Sequence, residues 1–288
     1  MSLKLGQITT VVISSSALAK EALQKQDLAF STRSVPNAIL ATEQYKYSAV
    51  WLPVSDRWRS LRKIMNSYIF SGSRLDANQT LRQQTVMELI AYAGKCCQDG
   101  VAVDIGNAAF TTSLNLLSNT AFSVDLAGLS QESAREFKDL VTSITMESGK
   151  PNFSDFFPFL AKLDPQGTRG RMSVHFKKMV QLIGGLIDER IRLRNLQKTN
   201  PKNDVINSLL NLKDIVRNHI EGMMMDLFIA GTDTTSSTIE WAMAKLIHNP
   251  EILKKAKAEL EKTIGKGKLI QEVDISRLPY LRATRKRQ

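Results

Sequence analysis

Apolar positions in this chain recur mostly at helical spacing. Ile220, Met223, Met224, Leu227 and Phe228 fall at i, i+3, i+4, i+7 and i+8, and Ile239, Ala242, Met243, Leu246 and Ile247 repeat the pattern. The spacing predicts a long helix over residues 214–248. Between the two stretches lies Ala230-Gly231-Thr232-Asp233-Thr234-Thr235-Ser236-Ser237, rich in residues that form helices poorly. Two readings of this polar notch stay open. In one, Gly231 stops a first helix and Ser237-x-x-Glu240 forms a capping box for a second. In the other, one helix continues, Gly231 admits a close approach, and Asp233 and Thr234 turn an acid and a hydroxyl toward a cavity. A carboxyl beside a hydroxyl suits proton delivery to a bound group.

Elsewhere the pattern predicts a mainly α chain with a small β element at its front. Residues 3–13 hold two short β-rich pieces around Gly6-Gln7, and a serine-capped helix begins at residues 16–24. A loop over 31–54 precedes helices at 56–69, 75–99 and 106–121. Another is expected over 128–149, starting from Leu129-Ser130-Gln131-Glu132. Residues 153–163 are aromatic and broken by proline, and a helix over 168–196 runs into a polar linker at 197–204. Asn249-Pro250-Glu251 opens a last strong helix ending near residue 264. No internal repeat or low-complexity segment is evident.

With 288 residues, 43% of them hydrophobic, the chain can bury a large core and reads as a single domain. No run of about 18 uncharged apolar residues occurs, so no membrane span is expected. The two cysteines, Cys96 and Cys97, are adjacent and form no disulfide framework. Lysine and arginine total 39 against 28 acidic residues, a net charge of +11. The basic residues are scattered, with mild clusters at 190–194, 254–257 and 285–287, and lack the zinc-ligand or aromatic pattern of nucleic-acid binders, so solvated helix faces explain most of them. His175, His219 and His248 lack ligand spacing, and no metal site is expected from them. Phosphate-loop, serine-elbow and zinc-protease motifs are absent.

Trp58 and Arg62 are one helical turn apart, so one face presents an indole donor and a guanidinium, a pair suited to a carboxylate. The plainer alternative is a core tryptophan beside a surface arginine paired with a local acid such as Asp56. The segment Trp51-Leu52-Pro53-Val54-Ser55-Asp56-Arg57-Trp58-Arg59-Ser60-Leu61-Arg62-Lys63-Ile64, the motif Ala230-Gly231-Thr232-Asp233-Thr234-Thr235, and Asp164-Pro165-Gln166-Gly167 and His248-Asn249-Pro250-Glu251 in that order together resemble the cytochrome P-450 family of heme-thiolate monooxygenases. Their wording is most similar to a plant terpenoid-hydroxylase branch, and the resemblance runs from the first residues to about Ala283.

That resemblance implies the cytochrome P-450 fold and insertion of one oxygen atom from dioxygen into a small apolar, terpenoid-like substrate. It implies a heme cofactor and electrons from NADPH through a reductase, for which Arg57, Arg59 and Lys63 are candidate contacts. Trp58 and Arg62 match positions that hold a heme propionate. Asp233 and Thr234 match the acid and alcohol that deliver protons during oxygen activation, and Ala230 and Gly231 the pair that leaves room for oxygen. The substrate pocket is expected from residues 35–47, 153–159 and 226–228. Phe156-Phe157-Pro158-Phe159-Leu160 resembles a loop that dips into the membrane surface, although packing against neighbouring helices would explain it equally.

The same comparison predicts a domain incomplete at both ends, spanning 1–288. Met1-Ser2-Leu3-Lys4-Leu5-Gly6 resembles the interior of a first strand, so the family's anchor in the endoplasmic reticulum membrane is expected to be missing, which leaves the location unassigned. The Glu-x-x-Arg pair expected after Leu278-Pro279-Tyr280-Leu281 is replaced by Arg282-Ala283-Thr284-Arg285-Lys286-Arg287-Gln288. Cys96 and Cys97 lack the phenylalanine and glycine context of a heme-binding loop. These residues are therefore expected to be inactive alone, the alternative role being a non-catalytic remnant that binds a longer relative or a reductase.

Overall fold

The computed structural model describes residues 1–126, 132–196 and 204–286. The expected helix start at Leu129-Ser130-Gln131, the linker up to residue 203 and the terminal Arg287-Gln288 lie outside the described residues. The chain opens with an antiparallel hairpin, β1 (Ser2–Leu5) and β2 (Ile8–Val11), in which Leu5 faces Ile8 across the Gly6-Gln7 turn. Helix α1 (Ser16–Lys20) follows, capped by the Ser15 side chain, and passes into a π-helical turn, Glu21–Lys25. Then come α2 (Asp56–Tyr68), α3 (Gly72–Ala77), α4 (Gln79–Gln98), α5 (Ile105–Phe122), α6 (Glu132–Gly149), α7 (Phe153–Phe156), α8 (Thr168–Leu196), α9 (Val205–Leu210), α10 (Arg217–His248), α11 (Pro250–Thr263) and α12 (Pro279–Lys286). This is the mainly α architecture with a small β element that the periodicity predicts.

Several boundaries differ from expectation for identifiable reasons. The predicted helix at 75–99 is two helices, because Asn78 at φ −92° and ψ 7° ends α3 before α4 starts. The loop at 31–54 contains two 3₁₀ turns, Ile39–Ala41 and Glu43–Tyr47. Helices α9 and α12 and the 3₁₀ turn Glu272–Arg277 were not expected. They are too short for an apolar period to repeat over the about 11–18 residues such a pattern needs.

The polar notch does not break the central helix. Thr232 Oγ1 donates to the Phe228 carbonyl at 2.7 Å, Thr234 to Ala230 at 2.6 Å and Thr238 to Thr234 at 2.7 Å. Each hydroxyl turns back onto the carbonyl one turn earlier, which seats these poor helix formers inside a continuous α10. The capping-box reading of Ser237 and Glu240 is thereby corrected.

The core forms where α5 crosses the first half of α10. Phe110, Leu114 and Phe122 of α5 meet Met223, Met224 and Phe228 of α10, all essentially inaccessible to solvent. The Phe228 ring stacks on Phe122 at 6.2 Å and meets Phe137 of α6 edge-on at 5.9 Å. Met172, Met179, Ile183 and Ile187 bring α8 to the same core, and Ile206 and Leu209 bring α9. The residues of α10 on the far side of the notch differ: buried positions stop at Ser236.

Arg190, which composition places among solvated basic residues, is buried. It bonds the Phe122 carbonyl and forms a 2.8 Å ion pair with buried Asp204. Asp204 also accepts from Ser123 Oγ at 2.8 Å and caps α9 through the Asn207 amide. One carboxylate thus joins α5, α8 and α9. Among the described residues no helix is long and apolar enough to cross a membrane.

Candidate functional site

Two hollows meet at α10. The larger is an open cleft of about 730 Å³ lined by Trp58, Arg62 and Met65 of α2, Leu116 and Leu117 of α5, Leu227, Ala230, Gly231 and Thr235 of α10, and Arg33 from the preceding loop. At Gly231 a Cβ would lie 2.8 Å from Leu117 Cδ1, the tip of a flexible side chain on α5 that would have to move to admit it.

Four of the six residues singled out in the sequence, Trp58, Arg62, Ala230 and Gly231, line this one cleft. Asp233 and Thr234 do not. Thr234 is exposed with its hydroxyl bonded to the Ala230 carbonyl, and Asp233 is half-buried. The third threonine of the run, Thr235, lines the cleft instead. The Trp58 indole donates to the Ala49 carbonyl at 3.0 Å. Arg62 has no ion-pair or hydrogen-bond partner among the described residues, and Asp56 pairs with Arg59 at 3.1 Å. The guanidinium of Arg33 is likewise unpaired.

The second hollow is a cavity of about 200 Å³ on the other side of Asp226. Ile39, Tyr45 and Trp51 from the loop before α2, Ile144 of α6, Phe176 of α8 and Met225 and Ile229 of α10 give it apolar walls. Gly222 makes it possible: a Cβ there would lie 2.5 Å from the Tyr47 carbonyl oxygen, so only glycine lets the Glu43–Tyr47 turn rest on α10. Residues 153–159, expected in the pocket wall, are absent from its lining, and α6 takes that place. Phe156 instead anchors the front hairpin through its carbonyl, which accepts from Gln7 N at 2.8 Å.

Asp226 stands between the two hollows and lines both. Ser48 Oγ donates to its Oδ1 at 2.6 Å and the Ala49 amide to its Oδ2 at 2.7 Å. Burial pushes its carboxyl up to about 6, opposed by the hydrogen bonds from Ser48, Ala49 and Val50. Since the Ala49 carbonyl receives the Trp58 indole, the Ala49 residue ties α10 to α2. The sequence singled out Asp226 only as pocket lining. An aspartate amid Met223, Met224, Met225, Leu227 and Phe228 was the available signal for more.

Apolar walls with two unpaired arginines suit a group with a flat apolar body and carboxylate substituents, which is the chemistry of heme and its propionates. No cysteine lines the cleft: Cys96 and Cys97 both lie on α4. Among the described residues no cluster of three or more His, Cys, Asp and Glu could hold a metal ion.

A mainly α fold with this cleft against its longest helix is the architecture of the cytochrome P450s, and the chain belongs to that family: the family profile described as Cytochrome P450 matches residues 1–286. Heme, with its iron, is the family's cofactor, and its electrons come from a reductase. Among plant relatives, the chain is 60% identical over 291 residues to the geraniol 8-hydroxylase of Catharanthus roseus, covering 99% of this chain and 59% of that protein. It is 58% identical over 287 residues to the geraniol 8-hydroxylase of Swertia mussotii, covering 98% and 58%. The chain thus spans somewhat under two thirds of the length of these relatives. A zebra fish cytochrome P450 solved with progesterone superposes with a TM-score of 0.79 at 20% identity, over 99% of this chain and 66% of that one, which shows the shared fold.

Proposed function

We propose that these residues form part of a heme-dependent monooxygenase that inserts one oxygen atom from dioxygen into a small apolar, terpenoid-like substrate. The observation that carries the reading is the convergence of Trp58, Arg62, Ala230 and Gly231, from two separate elements, on one apolar cleft. Heme bound there would supply the oxygen-activating chemistry. Arg62 and Arg33 would hold its propionates, while Trp58 is a positioning residue that acts through Ala49. The cavity beyond Asp226 would take the substrate and exclude water from it. Asp233 and Thr234 would serve proton delivery, with the Thr234 hydroxyl releasing the Ala230 carbonyl to do so.

Arg57, Arg59 and Lys63 are exposed on α2 and would receive an acidic reductase carrying electrons from NADPH. Exposed Phe153, Phe159 and Leu163 would touch a membrane surface peripherally. With no cysteine in the cleft, the 288 residues by themselves are inactive in this reading. Hemin titration followed by its visible absorption tests the site. Arg62→Ala is expected to weaken binding about fivefold, the effect of one partly solvated charge-assisted contact. Unchanged affinity would remove Arg62 from the propionate role, and a thiolate-type band on reduction with carbon monoxide would overturn the inactivity.

A further inference from the structure

We propose that the Glu43–Tyr47 turn is a pH-sensitive latch on α10, shut while the His219 imidazole is neutral and released when that ring takes up a proton. His219, Gly222 and Asp226 stand at i, i+3 and i+7 and so share one face of α10. Consecutive residues of the loop before α2 run along that face. The Tyr47 ring meets the His219 ring edge-on, with centroids 5.4 Å apart and planes at 71°. The Tyr47 carbonyl rests on Gly222, and Ser48 and Ala49 donate to the Asp226 carboxylate. The latch therefore has a titratable residue of α10 at each end.

At the His219 end the fold accommodates only the neutral ring. Its Nε2 is buried and has no hydrogen-bond partner among the described residues. A neutral imidazole can leave that nitrogen as a bare lone pair, whereas protonation makes it a charged donor with nothing to accept from it. Tyr47 faces the ring from the turn, and Arg57 of α2 acts on it with a like charge. The other charges nearby are spent on each other: Glu43 pairs with Lys46 on the turn at 2.5 Å, and Glu221 with Arg217 on α10 at 2.7 Å. Burial first, and the Arg57 charge second, hold the His219 pKa below its ordinary value.

The closed latch thus binds fewer protons than the open one, in which the ring returns to water. Opening is favoured as pH falls below the ordinary histidine value of 6.5. The turn is suited to local opening, since none of its residues is fully buried. Tyr45 of the same turn belongs to the wall of the cavity beyond Asp226, so release of the latch in acid unseals that cavity. This regulation goes beyond the proposed reaction and holds whatever occupies the cavity.

Asp226 titrates in the opposite sense at the other end of the latch, so the test uses whole chains that carry Asp226→Asn. Hydrogen exchange of amides 43–47 is followed by mass spectrometry between pH 7.5 and 5, corrected for the pH dependence of intrinsic exchange, with α5 as the internal reference. Opening is expected to rise severalfold toward pH 5, the ceiling being about thirtyfold for a group that ordinarily titrates at 6.5. His219→Phe keeps a ring against Tyr47 but cannot be charged, and should abolish the rise. His219→Leu loses the ring contact as well and should open more at every pH, by the same factor. With Asp226 intact, the difference between the parent and His219→Phe at each pH gives the same contribution of His219. Opening that does not change with pH in the parent, or that rises in acid in either His219 variant, overturns the latch.

Discussion

Asp226 is the residue at which burial and charge conflict. Its carboxyl titrates near 6 in the fold against an ordinary 3.8, so the folded state holds its proton more tightly than the unfolded chain does. Between those two values the folded state binds more protons, and stability therefore falls as pH rises, by about 3 kcal/mol in all for a shift of roughly two units. Asparagine keeps one acceptor oxygen and does not titrate. Asp226→Asn should therefore gain on the wild type by about that amount between pH 4 and 6, with the difference flat above 7; urea midpoints across this range would show it. A difference independent of pH would mean that the carboxyl is not held neutral by burial. At this scale the sequence was legible where a residue type has one chemical use. Trp58 and Arg62 four positions apart do meet one cleft, but the indole's partner is a backbone carbonyl, which no side-chain pattern encodes. Gly231 does line that cleft, and a Cβ built there would also meet Leu117, a residue more than a hundred positions away that no local pattern announces.

Among the elements, the long helices were legible because their apolar periods are sustained. Thr168–Leu196 has the predicted bounds, and Arg217–His248 begins three residues later than predicted. Whether the polar notch interrupts the central helix was not decidable from propensity, since the outcome rests on threonine hydroxyls returning to their own backbone. Short α9 offers too few residues for a repeating period, and what holds it, Asp204 with Arg190 and Ser123, is drawn from distant segments. That junction is predicted to be critical. Asp204→Ala removes the α9 cap and leaves Arg190 charged and buried, and should cost about 3–5 kcal/mol. The double variant Arg190→Met with Asp204→Asn keeps the cap, removes both charges and should recover most of the loss. Thermal or urea unfolding measures both, and an equal deficit in the double variant would show that the cost lies outside the ion pair.

For the whole molecule, the decisive asymmetry runs along α10. Before the notch it is buried nearly all round, with residues 220–225 all buried, while beyond Ser236 no residue is buried and Trp241 and Ile247 are 66% and 58% exposed. The second half repeats the apolar spacing of the first, yet spacing alone does not say what covers it. A helix end none of whose residues is buried opens at less free energy than the core it springs from. Native-state hydrogen exchange should therefore divide this single helix. Amides from about 224 to 236 are expected to exchange only through opening of the α5–α10 core, and those from 243 to 248 orders of magnitude faster through local fraying. Protection that continues undiminished to His248 would show that the exposed half is covered in solution. In that case the apolar period beyond the notch would mark a contact that the chain makes with itself or with a second copy.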